Sequence, residues 1–107
     1  MKLIYFENII ATEQRLTLVD FYATWSGACK AIDPILERIG LALGDIVNVM
    51  RIDICSQSNI EIVRHLNIVS VPTLILFSNK ELLWHNSGVI AYERLRNIIR
   101  RYSMLRE

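Results

Sequence analysis

Apolar positions along this chain follow two alternating rhythms. Leu16 to Phe21 (LTLVDF) is a short apolar run with β-branched residues, which predicts a buried strand. Beyond Ser26-Gly27 the spacing changes. Ile32, Ile35, Leu36 and Ile39 recur at i, i+3, i+4 and i+7, which predicts an amphipathic helix whose end Gly40 and Gly44 mark. Asn48 to Ile54 reads as a second strand. Ile60, Val63 and Leu66 indicate a short helix capped by Ser58 or Asn59. Thr73 to Phe77 (TLILF) is a third strand. The tight turn Ser78-Asn79-Lys80 returns the chain as Glu81 to His85, making a β-hairpin. Leu95, Ile98, Ile99 and Tyr102 lie on a last helix, and a first helix is predicted over Phe6 to Thr12. Strands joined through helices favour parallel pairing, and the hairpin adds an antiparallel edge. The predicted class is α/β: a central mixed sheet of four strands, or five if Lys2 to Tyr5 pairs, with helices on both faces.

Composition narrows this picture. With 107 residues the chain reads as one domain over residues 1–107, long enough to bury a core. Hydrophobic residues make up 52% and charged residues 21%, a globular balance. Twelve Lys+Arg against eleven Asp+Glu leave a net charge of +1, which argues against a nucleic-acid or membrane-surface partner. Two cysteines do not make a disulfide scaffold, and two histidines without ligand spacing do not make a metal site. The run Leu3-Ile4-Tyr5-Phe6 ends at Glu7, too short for a secretory signal, so a cytoplasmic location is expected.

The chemistry concentrates in Val19 to Lys30 (VDFYATWSGACK). A strand runs into a glycine turn that opens a helix, and Cys29 falls in the first helical turn, where backbone N–H groups favour negative charge. Asp20 is a lone carboxylate inside an apolar strand. Buried without a cationic partner it would hold its proton more tightly and could accept one from a neighbour; at a solvated strand end it would be ordinary. Pro72 stands where Val71-Pro72-Thr73 opens a strand, so it begins that strand or marks a special turn.

Trp25-x-Gly27-x-Cys29-Lys30, with Asp20 five residues before the tryptophan and Val71-Pro72-Thr73 downstream, resembles the thioredoxin family. The likeness runs from about Leu16 to Tyr102 and includes Pro34 and Gly88. It implies the thioredoxin fold with its first strand truncated or missing, a cis Val71–Pro72 bond, and a peptide-binding surface of Trp25, Gly27, Ala28, Val71, Pro72 and Gly88. It also implies a catalytic set of Ser26, Cys29 and Asp20, with Cys29 as the resolving thiol and Asp20 assisting its proton transfer. No cofactor or metal follows from the resemblance. The implied partners are proteins or peptides with disulfides and a thioredoxin reductase, acting on a monomer.

One departure from the family pattern bears directly on function. The family motif is Trp-Cys-Gly-Pro-Cys, and this chain has Trp25-Ser26-Gly27-Ala28-Cys29. A serine hydroxyl neither ionises usefully nor forms a disulfide, so Ser26 and Cys29 are expected not to cycle between dithiol and disulfide. Ser26 should instead cap the helix. Two readings follow: a protein-disulfide reductase scaffold lacking its nucleophile, or a redox-inactive module that binds a peptide or protein partner. Cys55 reads as a spare thiol, His65 and His85 as surface residues. The arginines of the last helix (Arg94, Arg96, Arg100, Arg101, Arg106) read as a solvated basic face. Arg51, if it reaches Asp20, should lower that carboxylate's proton affinity.

Overall fold

The computed structural model describes residues 1–106. Its elements, in chain order, are α1 (Leu3–Thr12), β1 (Leu16–Tyr22), α2 (Gly27–Leu43), β2 (Val47–Asp53), α3 (Ile60–His65), β3 (Thr73–Ser78), β4 (Glu81–Ser87) and α4 (Tyr92–Leu105). A 3₁₀ turn, Gln57–Asn59, leads into α3. The strands form one four-stranded sheet in the order β2-β1-β3-β4. β1 and β2 are parallel, joined through α2; β1–β3 and β3–β4 are antiparallel. The mixed sheet with helices on both faces is therefore the architecture that the hydrophobic pattern predicts.

The N-terminus departs from one of the two options. Lys2 to Tyr5 supplies no fifth strand, because the helix already begins at Leu3. Phe6 N donates to Lys2 O, and Phe6 and Ile10, one turn apart, are the buried residues of α1. The continuous apolar run hides this helical spacing. Gly40 lies inside α2, not at its end, and Gly44 is the C-cap. Asn59, one of the two expected residues, holds the N-cap position of α3, but its side chain makes no capping hydrogen bond there. Asn59 instead donates from Nδ2 to Asp53 O at 2.9 Å and accepts at Oδ1 from the Met1 ammonium at 2.6 Å. β4 continues two residues past His85 to Ser87.

Strand alternation sorts the core into two layers. On one face Leu16, Leu18, Val47, Leu74 and Leu76 pack with Ile32, Leu36 and Ile39 of α2 and Leu95 and Ile99 of α4. On the other, Val19, Phe21, Ile52, Ile75 and Phe77 pack with Phe6 and Ile10 of α1 and Ile62 of α3. Phe6 meets Phe77 edge-on, with ring centroids 5.8 Å apart. Among the described residues no helix is long and apolar enough to cross a membrane.

Candidate functional site

Register decides which segments meet. Phe21 is paired with Thr73, and Thr73 with Ser87. The turn after β1, the segment before β3 and the segment after β4 therefore share one end of the sheet. This places the Trp25 to Cys29 turn, Val71-Pro72 and Gly88 at that end. The Val71–Pro72 peptide bond is cis. Gly88 N donates to Pro72 O at 2.9 Å, from a backbone with φ of +91°. That conformation strains any residue with a Cβ, which accounts for glycine at this position. Trp25 is 70% exposed, Gly27 and Ala28 are exposed, Val71 is half-buried and Pro72 buried.

Ser26 is the N-cap of α2. Its backbone is extended (φ −87°, ψ 121°), and its Oγ accepts from Cys29 N at 3.2 Å. Its carbonyl accepts from Lys30 N at 3.3 Å, and its N–H donates to Ala23 O at 3.2 Å. The N–H of Cys29, which the sequence places among the free donors of the first turn, is thus engaged by the serine hydroxyl. Ser26 and Cys29 are both buried, at 7% and 2% exposure. Cys55 is a free, exposed thiol just past β2, where Cys55 N donates to Asp53 Oδ1 at 2.9 Å.

Asp20 is fully buried. By strand alternation it shares a face with Leu16 and Leu18, the layer covered by α2 and α4. The solvated strand end considered from sequence is therefore not its position. Arg51 stands opposite it in the β1–β2 register and donates from Nε to Asp20 Oδ2 at 3.2 Å. The same guanidinium donates to Asp33 Oδ1 at 2.8 Å and lies 4.2 Å from the centroid of the Tyr22 ring. Asp20 Oδ1 is buried with no hydrogen-bond partner.

Arg51 does reach Asp20, but the expected net lowering does not follow. Burial pushes the carboxyl above its ordinary range, Arg51 opposes this, and the negative charge of Asp33 adds to the rise. The cation loses because one half-exposed guanidinium is shared between two carboxylates and an aromatic face. The result is a carboxyl whose proton affinity is raised, on the sheet face that α2 covers. Asp33 and Tyr22 carry no sequence motif. Asp33 sits one helical turn after Cys29, which was the only available signal for it.

His65 and His85 are exposed on different elements, as expected of surface residues. Among the described residues no group of three or more His, Cys, Asp or Glu is arranged to hold a metal ion.

A parallel β-α-β unit, a terminal hairpin, a thiol in the first turn of α2 and a buried carboxyl on the sheet face that α2 covers together define an α/β protein of the thioredoxin fold. The chain belongs to the thioredoxin family, whose model, described as Thioredoxin, matches residues 2–101. It is 39% identical over 74 residues to a thioredoxin of Mycolicibacterium smegmatis, covering 69% of this chain and 66% of that protein. It is 37% identical over 73 residues to a bifunctional thioredoxin reductase/thioredoxin of Mycobacterium leprae, covering 68% of this chain and 15% of the longer protein. The chain thus spans less than two thirds of either relative. The crystal structure of thioredoxin from Trypanosoma brucei brucei superposes with a TM-score of 0.81 at 28% identity, over 99% of this chain and 88% of that one.

Proposed function

We propose that this chain is a thioredoxin-type protein-disulfide reductase scaffold that does not turn over as it stands, because Ser26 occupies the place of the attacking cysteine. The observation that carries this is the bond from Cys29 N to Ser26 Oγ. The hydroxyl is buried and committed to capping α2, so it keeps the turn folded without offering a thiolate. In this reading Cys29 is the resolving thiol, and Asp20 receives its proton. Trp25, Gly27, Ala28, Val71, Pro72 and Gly88 form the surface on which an extended polypeptide is held. The partners are proteins with disulfides and, as the two activities named for the mycobacterial relative suggest, a thioredoxin reductase. A monomer of one domain acting in the cytoplasm fits this role.

Turnover requires two thiols. A thiolate at position 26 attacks one sulfur of the substrate disulfide, forming a mixed disulfide and releasing the other sulfur as a thiolate. Cys29 then gives its proton to Asp20 and attacks the mixed disulfide. That frees the second substrate thiol and leaves a disulfide within the turn, which an external dithiol reduces. Ser26 removes the first step. The test is reduction of insulin by dithiothreitol with the chain beside its Ser26→Cys variant. Acceleration by the variant alone is the expected result, and acceleration by the unmodified chain would refute the proposal.

The 70% exposure of the Trp25 ring favours a second reading, a redox-inactive module that captures extended polypeptides at this end of the sheet. Trp25→Ala should then abolish binding of the reduced insulin B chain, and unchanged binding would dismiss that reading.

A further inference from the structure

β4 is an edge of the sheet, and each of its faces opens onto a different groove. Its register assigns the faces. Leu82, His85 and Ser87 are opposite Phe77, Ile75 and Thr73, whereas Trp84 is opposite Leu76. The first set borders a groove of about 310 Å³ completed by Leu66, Ile68 and Val69 from the segment that precedes Pro72. This groove is largely apolar, with Leu82 46% and Val69 85% exposed. Trp84 lies on the other face, where it lines a groove of about 540 Å³ with Arg94, Asn97, Ile98, Arg101 and Tyr102 of α4. Among the described residues neither Arg94 nor Arg101 has a carboxylate within 4.0 Å. α4 carries four arginines within its bounds and one acidic residue, Glu93.

We propose that the β4 edge takes an extended segment of a partner protein in which acidic and apolar residues alternate. A strand added to an edge pairs its backbone with the free N–H and C=O groups and sends successive side chains to opposite faces. One set of its side chains then meets the guanidiniums of Arg94 and Arg101, and the other meets Leu82 and Val69. Arg94 and Arg101 are two helical turns apart, about 10.5 Å along the axis. Same-face residues of a strand recur every ~6.7 Å, so two acidic positions fall within reach of the two long side chains.

The charge pattern selects this occupant over two others. A second copy of the chain offers β4 itself, whose sequence Glu81 to Ser87 has a single acid and cannot answer both arginines. A nucleic acid requires a broad basic surface, whereas only one face of this edge is basic and the chain as a whole carries +1. The site is distinct from the Ser26–Cys29 turn and does not depend on its chemistry.

The experiment uses the fluorescence of Trp84 in a Trp25→Phe background, titrated with the synthetic peptide Thr-Glu-Val-Glu-Val-Glu-Thr. Three comparison probes are the same residues in a blocked order (Thr-Glu-Glu-Glu-Val-Val-Thr), the alternating peptide with alternate backbone amides methylated, and single-stranded oligouridylate. Saturable binding of the alternating peptide is expected, at least ten-fold tighter than the blocked or methylated forms. The exposed-surface double substitution Arg94→Gln/Arg101→Gln should weaken it by about ten-fold and reduce its salt dependence. Circular dichroism of that variant checks that it is folded. Equal binding of the blocked peptide, affinity unchanged in the double variant, or tighter binding of oligouridylate would each overturn the proposal. So would a concentration-dependent dimer in sedimentation that Leu82→Lys abolishes, since a second copy would then own the edge.

Discussion

The two faces of β1 serve different ends. Thr17, Val19 and Phe21 look toward α1 and α3 into a layer with no buried charged side chain, closed by the Phe6–Phe77 pair. Leu16, Leu18 and Asp20 look toward α2 and α4, and there an apolar position is given to a carboxylate with one oxygen unpartnered. The first face holds the sheet together. The second carries a buried acid at one position, on the side that α2 covers. A buried carboxyl with an unpartnered oxygen is hard to explain by packing, and the thiol chemistry proposed for Cys29 would give it a purpose.

Truncation on the apolar face should show the largest effect. Phe21→Ala removes a fully buried ring beside Val19, Ile75 and Phe77 and should destabilise the chain by about 3–5 kcal/mol. Urea unfolding followed by circular dichroism measures this. A loss below about 1 kcal/mol would mean that this layer is not the structural one.

The opposite sign is expected on the other face. Asp20→Asn removes a buried charge while Arg51 keeps Asp33 and the Tyr22 ring, so stability at neutral pH should rise by about 1–3 kcal/mol. The pH dependence sharpens the comparison. Asp20 binds its proton more tightly when folded, so its contribution is most favourable below the unfolded carboxyl value near 4 and declines as pH rises through the folded value. The advantage of the asparagine should therefore vanish near pH 4, grow as pH rises toward the folded value and level off above it. A constant advantage across that range would show that burial does not govern this carboxyl.

The smallest effect belongs to the cap. Ser26→Ala leaves Cys29 N without its hydroxyl partner and should lower stability by about 1 kcal/mol, read as a shift of the urea midpoint. No shift would remove the capping role from the account.

Much of this was legible from residue order. The 3.6 spacing of Ile32, Ile35, Leu36 and Ile39 defines α2, and the apolar runs at Leu16 and Thr73 define the two central strands, because burial imposes those periods directly. Leu3 to Tyr5 was not, since a short unbroken apolar run satisfies strand and helix alike. The Asp20–Arg51–Asp33 cluster lies beyond local pattern for another reason. It depends on the parallel register across a 17-residue helix, which sets Asp20 opposite Arg51, and no short stretch of sequence encodes that offset. Burial outweighing Arg51 at Asp20 was equally invisible, because it turns on how one guanidinium divides itself among three neighbours.

The central proposal is that Ser26, in place of the attacking cysteine, is what keeps this chain from reducing disulfides, with Ala28 the one other departure from the family motif. A single-turnover reaction tests it most directly. The fully reduced chain and its Ser26→Cys variant are each mixed with insulin without other reductant, quenched with an alkylating agent and weighed by mass spectrometry. The account predicts that positions 26 and 29 of the variant escape alkylation, having given up two hydrogen atoms as the disulfide closes, and that insulin gains free thiols, while the unmodified chain is alkylated at both Cys29 and Cys55. Conversion of the unmodified chain, or a variant that stays reduced, would contradict it.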